Sequence, residues 1–118
     1  MPEAYNPVAV ENHIHEIANR IAKGVLVRSD TYEKYQLAAL AHDEAYAYAF
    51  DHAEGNQYSK KYSATLETVE QKRAMVVAEV AWKRAEFLAK ALELELGATQ
   101  SISKSVLATY GAAGVGER

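Results

Sequence analysis

From residue 59 to residue 96 the sequence contains neither proline nor glycine, and its apolar residues recur every three or four positions. This spacing predicts a single α-helix roughly 57 Å long, at a rise of 1.5 Å per residue. A compact domain of this chain length has a radius of gyration of only about 13–14 Å. We therefore expect the helix to need a partner along its length, either another helix of the same chain or a second copy.

The remaining residues also favour helices. Twenty-two of the 118 residues are alanine, and both prolines precede residue 8, which suits helix because alanine has the highest helix propensity and proline the lowest. Asn6-Pro7 predicts the start of a first helix and Gly24 its end, with residues 25–27 as a packed connector. A second helix is expected from Ser29 or Asp30 to about Ala53, followed by a turn at residues 54–56 because glycine and asparagine tolerate positive φ.

These elements predict an all-α protein, in which the second and third helices form a long antiparallel, coiled-coil-like hairpin and the first helix packs across it. We expect one helical domain over residues 1–118, with frayed ends at residues 1–5 and 111–118. Gly97 either ends the third helix or only interrupts it, because helical spacing continues through Ile102, Val106 and Tyr110.

Two apolar rows run along the third helix, which indicates packing partners on two sides. The hairpin supplies one partner, and a second subunit is the natural candidate for the other, so we expect a homo-oligomer. One row contains Tyr62, Leu66, Val69, Val76, Val80, Phe87, Ala91 and Leu94; the other contains Met75, Ala78, Trp82, Ala85, Ala89, Leu92 and Leu96. As residues of the oligomer interface we predict Met75, Trp82, Phe87, Leu92 and Leu96.

Three basic doublets on the third helix are the most suggestive polar feature. They are Lys60-Lys61, Lys72-Arg73 and Lys83-Arg84, and their separation of about three turns places them along one side of the helix. Such a ladder could follow a phosphate backbone, with Tyr58 and Tyr62 stacking on bases. The alternative is a solvated or inter-subunit face, because Glu79 lies four residues before Lys83 and can pair with it.

The histidines and carboxylates give weaker signals. The four histidines lack the repeated Glu-x-x-His spacing of helical metal sites, so we expect no metal ligands. We also expect no catalytic residues and no cofactor. Two acidic pairs, Asp51 with Glu54 and Glu67 with Glu70, flank the turn and could hold Mg²⁺ if they faced each other. In this they resemble the paired acidic motifs of all-α NTP pyrophosphatases, which leaves a Mg²⁺-dependent nucleotide hydrolase as one alternative.

Composition excludes several other classes of protein. The chain has no cysteine, hence no disulfide framework and no cysteine nucleophile. Its net charge of −3 argues against bulk attraction to nucleic acid, although a local basic face is compatible with it. We find neither an apolar run that could span a bilayer nor a signal-peptide pattern, and we expect a cytoplasmic protein that does not bind membranes.

Residues 34–96 resemble the small helical-hairpin proteins of tailed bacteriophages. The resemblance rests on the segment AYAYAFDHAEGN at residues 45–56, and on AWKRA at residues 81–85 and Phe87-Leu88 in the long helix that follows. It implies a phage accessory protein, encoded among early genes for DNA replication and recombination and acting in the host cytoplasm. The family offers no catalytic residue to transfer.

The function expected from the sequence is therefore a non-enzymatic accessory or regulatory binding protein of phage DNA metabolism. It would act by oligomerising through its helices, and its basic ladder would contact DNA or an acidic protein partner. A purely structural assembly or adaptor protein is the alternative, in which the same charges form ion pairs between subunits.

Overall fold

The computed structural model describes the backbone of residues 6–116 and the side chains of residues 6–111. Its three helices are α1 (Pro7–His52), α2 (Gln57–Glu67) and α3 (Val69–Gly116), and no strand occurs in this range, which confirms the all-α prediction. No stretch of these helices within the described range is long and apolar enough to cross a membrane. Residues 111–116, predicted to fray, belong to α3; residues 1–5, 117 and 118 lie outside the described range.

The predicted separate N-terminal helix is wrong, because α1 runs without a break from Pro7 to His52. Gly24 does not end the helix, and residues 25–27 are helical instead of forming a connector. A glycine inside a helix costs only about 1 kcal/mol relative to alanine, which favourable packing on either side of it readily offsets. The start of α1 agrees with the sequence: Asn6 Oδ1 accepts a hydrogen bond of 2.9 Å from the amide of Val8.

The turn predicted at residues 54–56 is confirmed, and it joins α1 to α2. Gly55 has φ = 103°, a left-handed conformation that glycine adopts without steric cost. Asn56 then caps α2, because its Oδ1 accepts a hydrogen bond of 2.8 Å from the amide of Ser59. These two residues thus reverse the chain and satisfy a free amide of the following helix.

The helix predicted over residues 59–96 corresponds to α2 and α3 together. It is interrupted once, at Thr68, and it is not interrupted at Gly97. The hydroxyl of Thr68 donates a 2.7 Å hydrogen bond to the carbonyl oxygen of Ala64, and its φ of −109° and ψ of 19° depart from α-helical values. Backbone hydrogen bonds continue on both sides, from Thr68 to Ala64 and from Lys72 to Thr68. α3 then continues through Gly97 to Gly116.

The described residues form two compact units, whereas the sequence predicts a single domain. The turn unit is Val27–Glu86 and contains the turn at Gly55; the terminal unit combines the part of α1 up to Leu26 with the part of α3 from Phe87.

In the turn unit, α1 runs antiparallel to α2 and α3, so the predicted helical hairpin is present in these residues. Arg28 contacts Glu86 at one end, and the ammonium of Lys60 lies 5.8 Å from the ring centre of Phe50 at the other. On α1, and on α2 and α3 opposite it, the residues that face the other side of the hairpin form a buried or half-buried row. The spacings in each row alternate between three and four residues, as in coiled coils. These inner rows are Arg28, Thr31, Tyr35, Ala38, His42, Ala45 and Ala49 on α1, and Ala64, Thr68, Gln71, Met75, Ala78, Trp82 and Ala85 opposite.

The terminal unit has inner rows of the same spacing but richer in large aliphatic side chains. Ile17 is completely buried, and the carboxylate of Glu95 lies 3.5 Å from His13 and 4.0 Å from Arg20. The rows consist of Val10, Ile14, Ile17 and Ile21 on α1, and Ala89, Leu92, Leu96, Thr99, Ser103 and Val106 on α3. Aliphatic burial and these partly exposed charged contacts hold the unit together.

Candidate interaction surface

The inner side of α3 is occupied by the chain's own α1. The Trp82 ring lies 5.0 Å from that of Tyr32 and 5.4 Å from that of Tyr35, between ring centres. Its indole nitrogen donates a 3.3 Å hydrogen bond to Glu86, and Glu86 also accepts the 3.2 Å contact from Arg28. Trp82 therefore fixes the pairing of the two helices in the turn unit.

This arrangement places four of the five residues predicted for the oligomer interface on the inner rows. Trp82 contacts aromatic rings of its own chain, and Met75 shares its inner row in the turn unit. Leu92 and Leu96 are likewise half-buried in the inner row of the terminal unit. Of the five predicted interface residues, Phe87 alone is exposed, with 72% of its surface accessible.

The other apolar row of the sequence lies on the outer side of α2 and α3. In the turn unit this outer row contains Leu66, Val69, Val76 and Val80, which are 39–58% exposed, and Tyr62, which is 66% exposed. In the terminal unit, α3 also exposes Phe87 and Leu94. Two rows of equal spacing are present in the sequence, and the structure shows that the aromatic one faces α1 while the valine-rich one faces outward.

Basic side chains flank the outer row on both sides. At about 100° per residue, Lys72 and Lys83 fall roughly 50° to one side of the row, and Arg73 and Arg84 roughly 50° to the other. All four are exposed. The outer row is thus an exposed apolar strip with basic side chains along both of its edges.

Two of these four residues already have acidic neighbours. Arg73 contacts Glu70 at 2.9 Å and Lys83 contacts Glu79 at 3.9 Å. Within the described residues no ion pair is found for Lys72 or Arg84. Lys72 instead lines a shallow cavity of about 300 Å³ with His42, Tyr46, Thr65, Thr68 and Val69.

The first basic doublet is divided between the two sides of α2. Lys60 turns toward Phe50 of α1 and is half-buried, whereas Lys61 is exposed. The flanking rings of Tyr58 and Tyr62 are 82% and 66% exposed. Lys61 and both tyrosines are therefore accessible, whereas Lys60 packs against α1 and does not lie with the exposed basic residues of the ladder.

The outer side of α1 in the turn unit is acidic and apolar, a feature that the sequence interpretation did not include. Leu37 and Leu40 are 56% and 54% exposed, and Glu33, Glu44 and Asp51 are exposed on the same side of the helix. The signal in the sequence is the separation of Glu33 and Glu44 by eleven residues, about three helical turns.

The acidic residues suggested for magnesium do not gather into a metal site. Glu70 contacts Arg73, and Asp51 lies 3.9 Å from His52. Among the described residues, no group of three or more histidine, aspartate or glutamate side chains is arranged to hold a metal ion.

Comparison with known proteins gives no relative: no protein-family model, no curated protein and no solved structure matches the chain.

Proposed function

We propose that this protein is a non-enzymatic assembly protein that works by packing its helices against further copies of itself. On the resemblance to phage helical-hairpin proteins, we assign it an accessory role in bacteriophage DNA metabolism in the host cytoplasm. The observation that carries the proposal is the outer row of the turn unit, where Leu66, Val69, Val76 and Val80 are exposed with coiled-coil spacing.

The energetics of the hairpin support this proposal. In the turn unit, Ala49 and Ala64 are the buried hydrophobic residues, and the inner rows contain many alanine and polar side chains. Hydrophobic stabilisation scales with the apolar area removed from water, at about 25 cal/mol per Å². Covering the outer row with a second chain would therefore bury larger apolar side chains than the two alanines that are buried within this unit.

Sedimentation velocity of the full chain over a concentration series tests the proposal. We expect wild type to associate, and Val76→Ser/Val80→Ser to associate at least tenfold more weakly because it removes apolar surface from the outer row. Val25→Ser/Val27→Ser is the matched control, since these α1 valines are 57% and 53% exposed but lie outside the row. A wild-type chain that remains monomeric at every concentration would overturn the proposal.

DNA contact is a second candidate, favoured by the exposed rings of Tyr58 and Tyr62 beside Lys61. Fluorescence anisotropy with labelled single- and double-stranded DNA, at low and physiological salt, tests it. We expect salt-sensitive binding that is lost in a variant with Lys60, Lys61, Lys72 and Arg73 changed to glutamate. Val76→Ser/Val80→Ser should still bind DNA, which separates this activity from assembly; absence of binding at low salt would remove the candidate.

A further inference from the structure

We propose that the outer side of α1 in one copy binds the outer side of α2–α3 in a second copy. The acidic face is defined by Glu33, Leu37, Leu40, Glu44 and Asp51. The basic face is defined by the outer row with Lys72, Arg73, Lys83 and Arg84. This inference rests on the proposed function, self-association, and identifies the two surfaces that meet.

The first argument is the opposite net charge of the two segments that form the turn unit, with residues 27–54 as the first segment and residues 57–86 as the second. Residues 27–54 carry six acidic and two basic side chains, a net charge of −4. Residues 57–86 carry six basic and four acidic side chains, a net charge of +2. Arg28 and Glu86 contact each other on the inner side. Without this pair, the net charge of the first segment is more negative and that of the second is more positive. Such surfaces attract each other and repel their own kind.

Matching charge spacing is the second argument. Glu33 and Glu44 on α1 are eleven residues apart, as are Lys72 and Lys83 on α3. Eleven residues span about 16.5 Å of helix and about three turns, so each pair lies on one side of its helix. The same interval on both faces allows two ion pairs to form at once between two helices lying side by side.

Apolar residues occupy the interval between the charges on both faces. Leu37 and Leu40 lie between the two glutamates, and Val76 and Val80 lie between the two lysines. All four side chains are 46–56% exposed. Their contact would bury apolar surface at the centre with charges at the rim, the usual anatomy of a protein interface.

The two faces lie on opposite sides of the turn unit, since each is on the side of its helix away from the inner row. A contact between them is therefore heterologous, in that one copy uses its acidic face while its neighbour uses the basic face. Such contacts repeat from copy to copy and give rings or filaments, not a two-fold dimer.

Charge reversal in two separate chains tests this arrangement by sedimentation velocity. One variant is Glu33→Lys/Glu44→Lys, and the other is Lys72→Glu/Arg84→Glu. None of these four residues forms an ion pair within the described part of the chain, so neither variant breaks an existing one. We expect each variant alone to associate at least tenfold more weakly than wild type, and an equimolar mixture to recover association at low salt.

A fourfold variant carrying all of these changes in one chain completes the experiment. It should associate with itself more strongly than either double variant alone, because the charge changes sign at two positions on each face while Arg73 and Lys83 remain basic. Circular dichroism establishes that each variant remains helical. If a reversal unfolds, the neutral pair on the same face, Glu33→Gln/Glu44→Gln or Lys72→Gln/Arg84→Gln, replaces it and should weaken association in the same direction.

The outcomes separate this inference from the proposed function. If wild type associates through Val76 and Val80 but mixing the two reversed variants restores nothing, the pairing of faces is overturned and self-association stands. If each reversed variant assembles as well as wild type, the pairing is likewise overturned. A wild type that never associates overturns both.

Discussion

The indole ring of Trp82 stacks on the phenol ring of Tyr35, with ring centres 5.4 Å apart and ring planes 10° from parallel. The stack joins α3 to α1 in the turn unit, and Tyr32 packs against the same indole at a tilt of 59°. Since most other inner-row residues of this unit are small or polar, these three rings supply a large share of its apolar contact.

Trp82→Ala should therefore be the most damaging single truncation in the turn unit. We expect it to lower the free energy of unfolding by about 2–3 kcal/mol, somewhat less than a fully buried tryptophan, because the side chain is half-buried. Urea unfolding followed by circular dichroism measures this loss. Tyr58→Ala removes a ring that is 82% exposed and should stay within about 0.5 kcal/mol of wild type; equal losses in both variants would contradict the prediction.

The raised pKa of Tyr35 predicts that the stability of the turn unit depends on pH. Glu79 raises the pKa of Tyr35 above 10.0, first through a hydrogen bond from the tyrosine hydroxyl and then through the charge of the carboxylate. Because the folded-state pKa is the higher one, folding favours the protonated phenol. The resulting stabilisation is fully present below pH 10 and is lost as the pH rises through the folded-state pKa.

Tyr35→Phe should therefore remove part of the alkaline loss of stability while keeping the stack on Trp82. Urea unfolding of both proteins at pH 8 and in steps above pH 10, followed by the fluorescence of the single tryptophan, measures the difference. We expect the wild-type free energy of unfolding to fall more steeply than that of Tyr35→Phe above pH 10. Parallel curves would show that ionisation of Tyr35 is not linked to folding.

Gly55 and Gly97 should respond in opposite directions to alanine. At Gly55, φ is 103° and an added Cβ would lie 3.1 Å from Cβ of Ser59, so Gly55→Ala should cost about 1–2 kcal/mol of folding free energy. At Gly97, in the interior of α3, an added Cβ meets nothing within 4 Å, and Gly97→Ala should add about 0.5–1 kcal/mol. Thermal unfolding of the two variants checks both signs, and destabilisation by Gly97→Ala would contradict the second.

Gly24 and Gly55 show how far the sequence predicts the helices. Both glycines could interrupt a helix by residue type, yet only Gly55 does, in the turn between the end of α1 at His52 and the start of α2 at Gln57. Gly55 lies between Glu54 and Asn56 in a polar segment, where capping by Asn56 stabilises the turn. Gly24 lies in an unbroken pattern of inner-row spacing, and the packing of that row outweighs the local preference of one glycine.

Val80 and Trp82 show why the surface was predicted less well than the helices. Both belong to apolar rows of the same spacing on one helix, and spacing alone does not say which row meets α1. The choice follows from the partners of Trp82, the rings of Tyr32 and Tyr35, which lie about fifty residues earlier in the chain. Contacts of that range are set by tertiary packing and not by local periodicity.

Gln71 is the one inner-row residue of the turn unit that we expect to stabilise the fold when replaced. Its Oε1 is buried and accepts no hydrogen bond from the described residues, and an unsatisfied buried polar group costs about 1–3 kcal/mol. Gln71→Met keeps a similar length without the amide, so we expect the free energy of unfolding in urea to rise by about 1 kcal/mol. Gln36→Met, at an exposed position of α1, is the matched control and should change it by less than about 0.5 kcal/mol. A lower stability for Gln71→Met than for wild type would mean that the amide of Gln71 contributes favourably to the inner row.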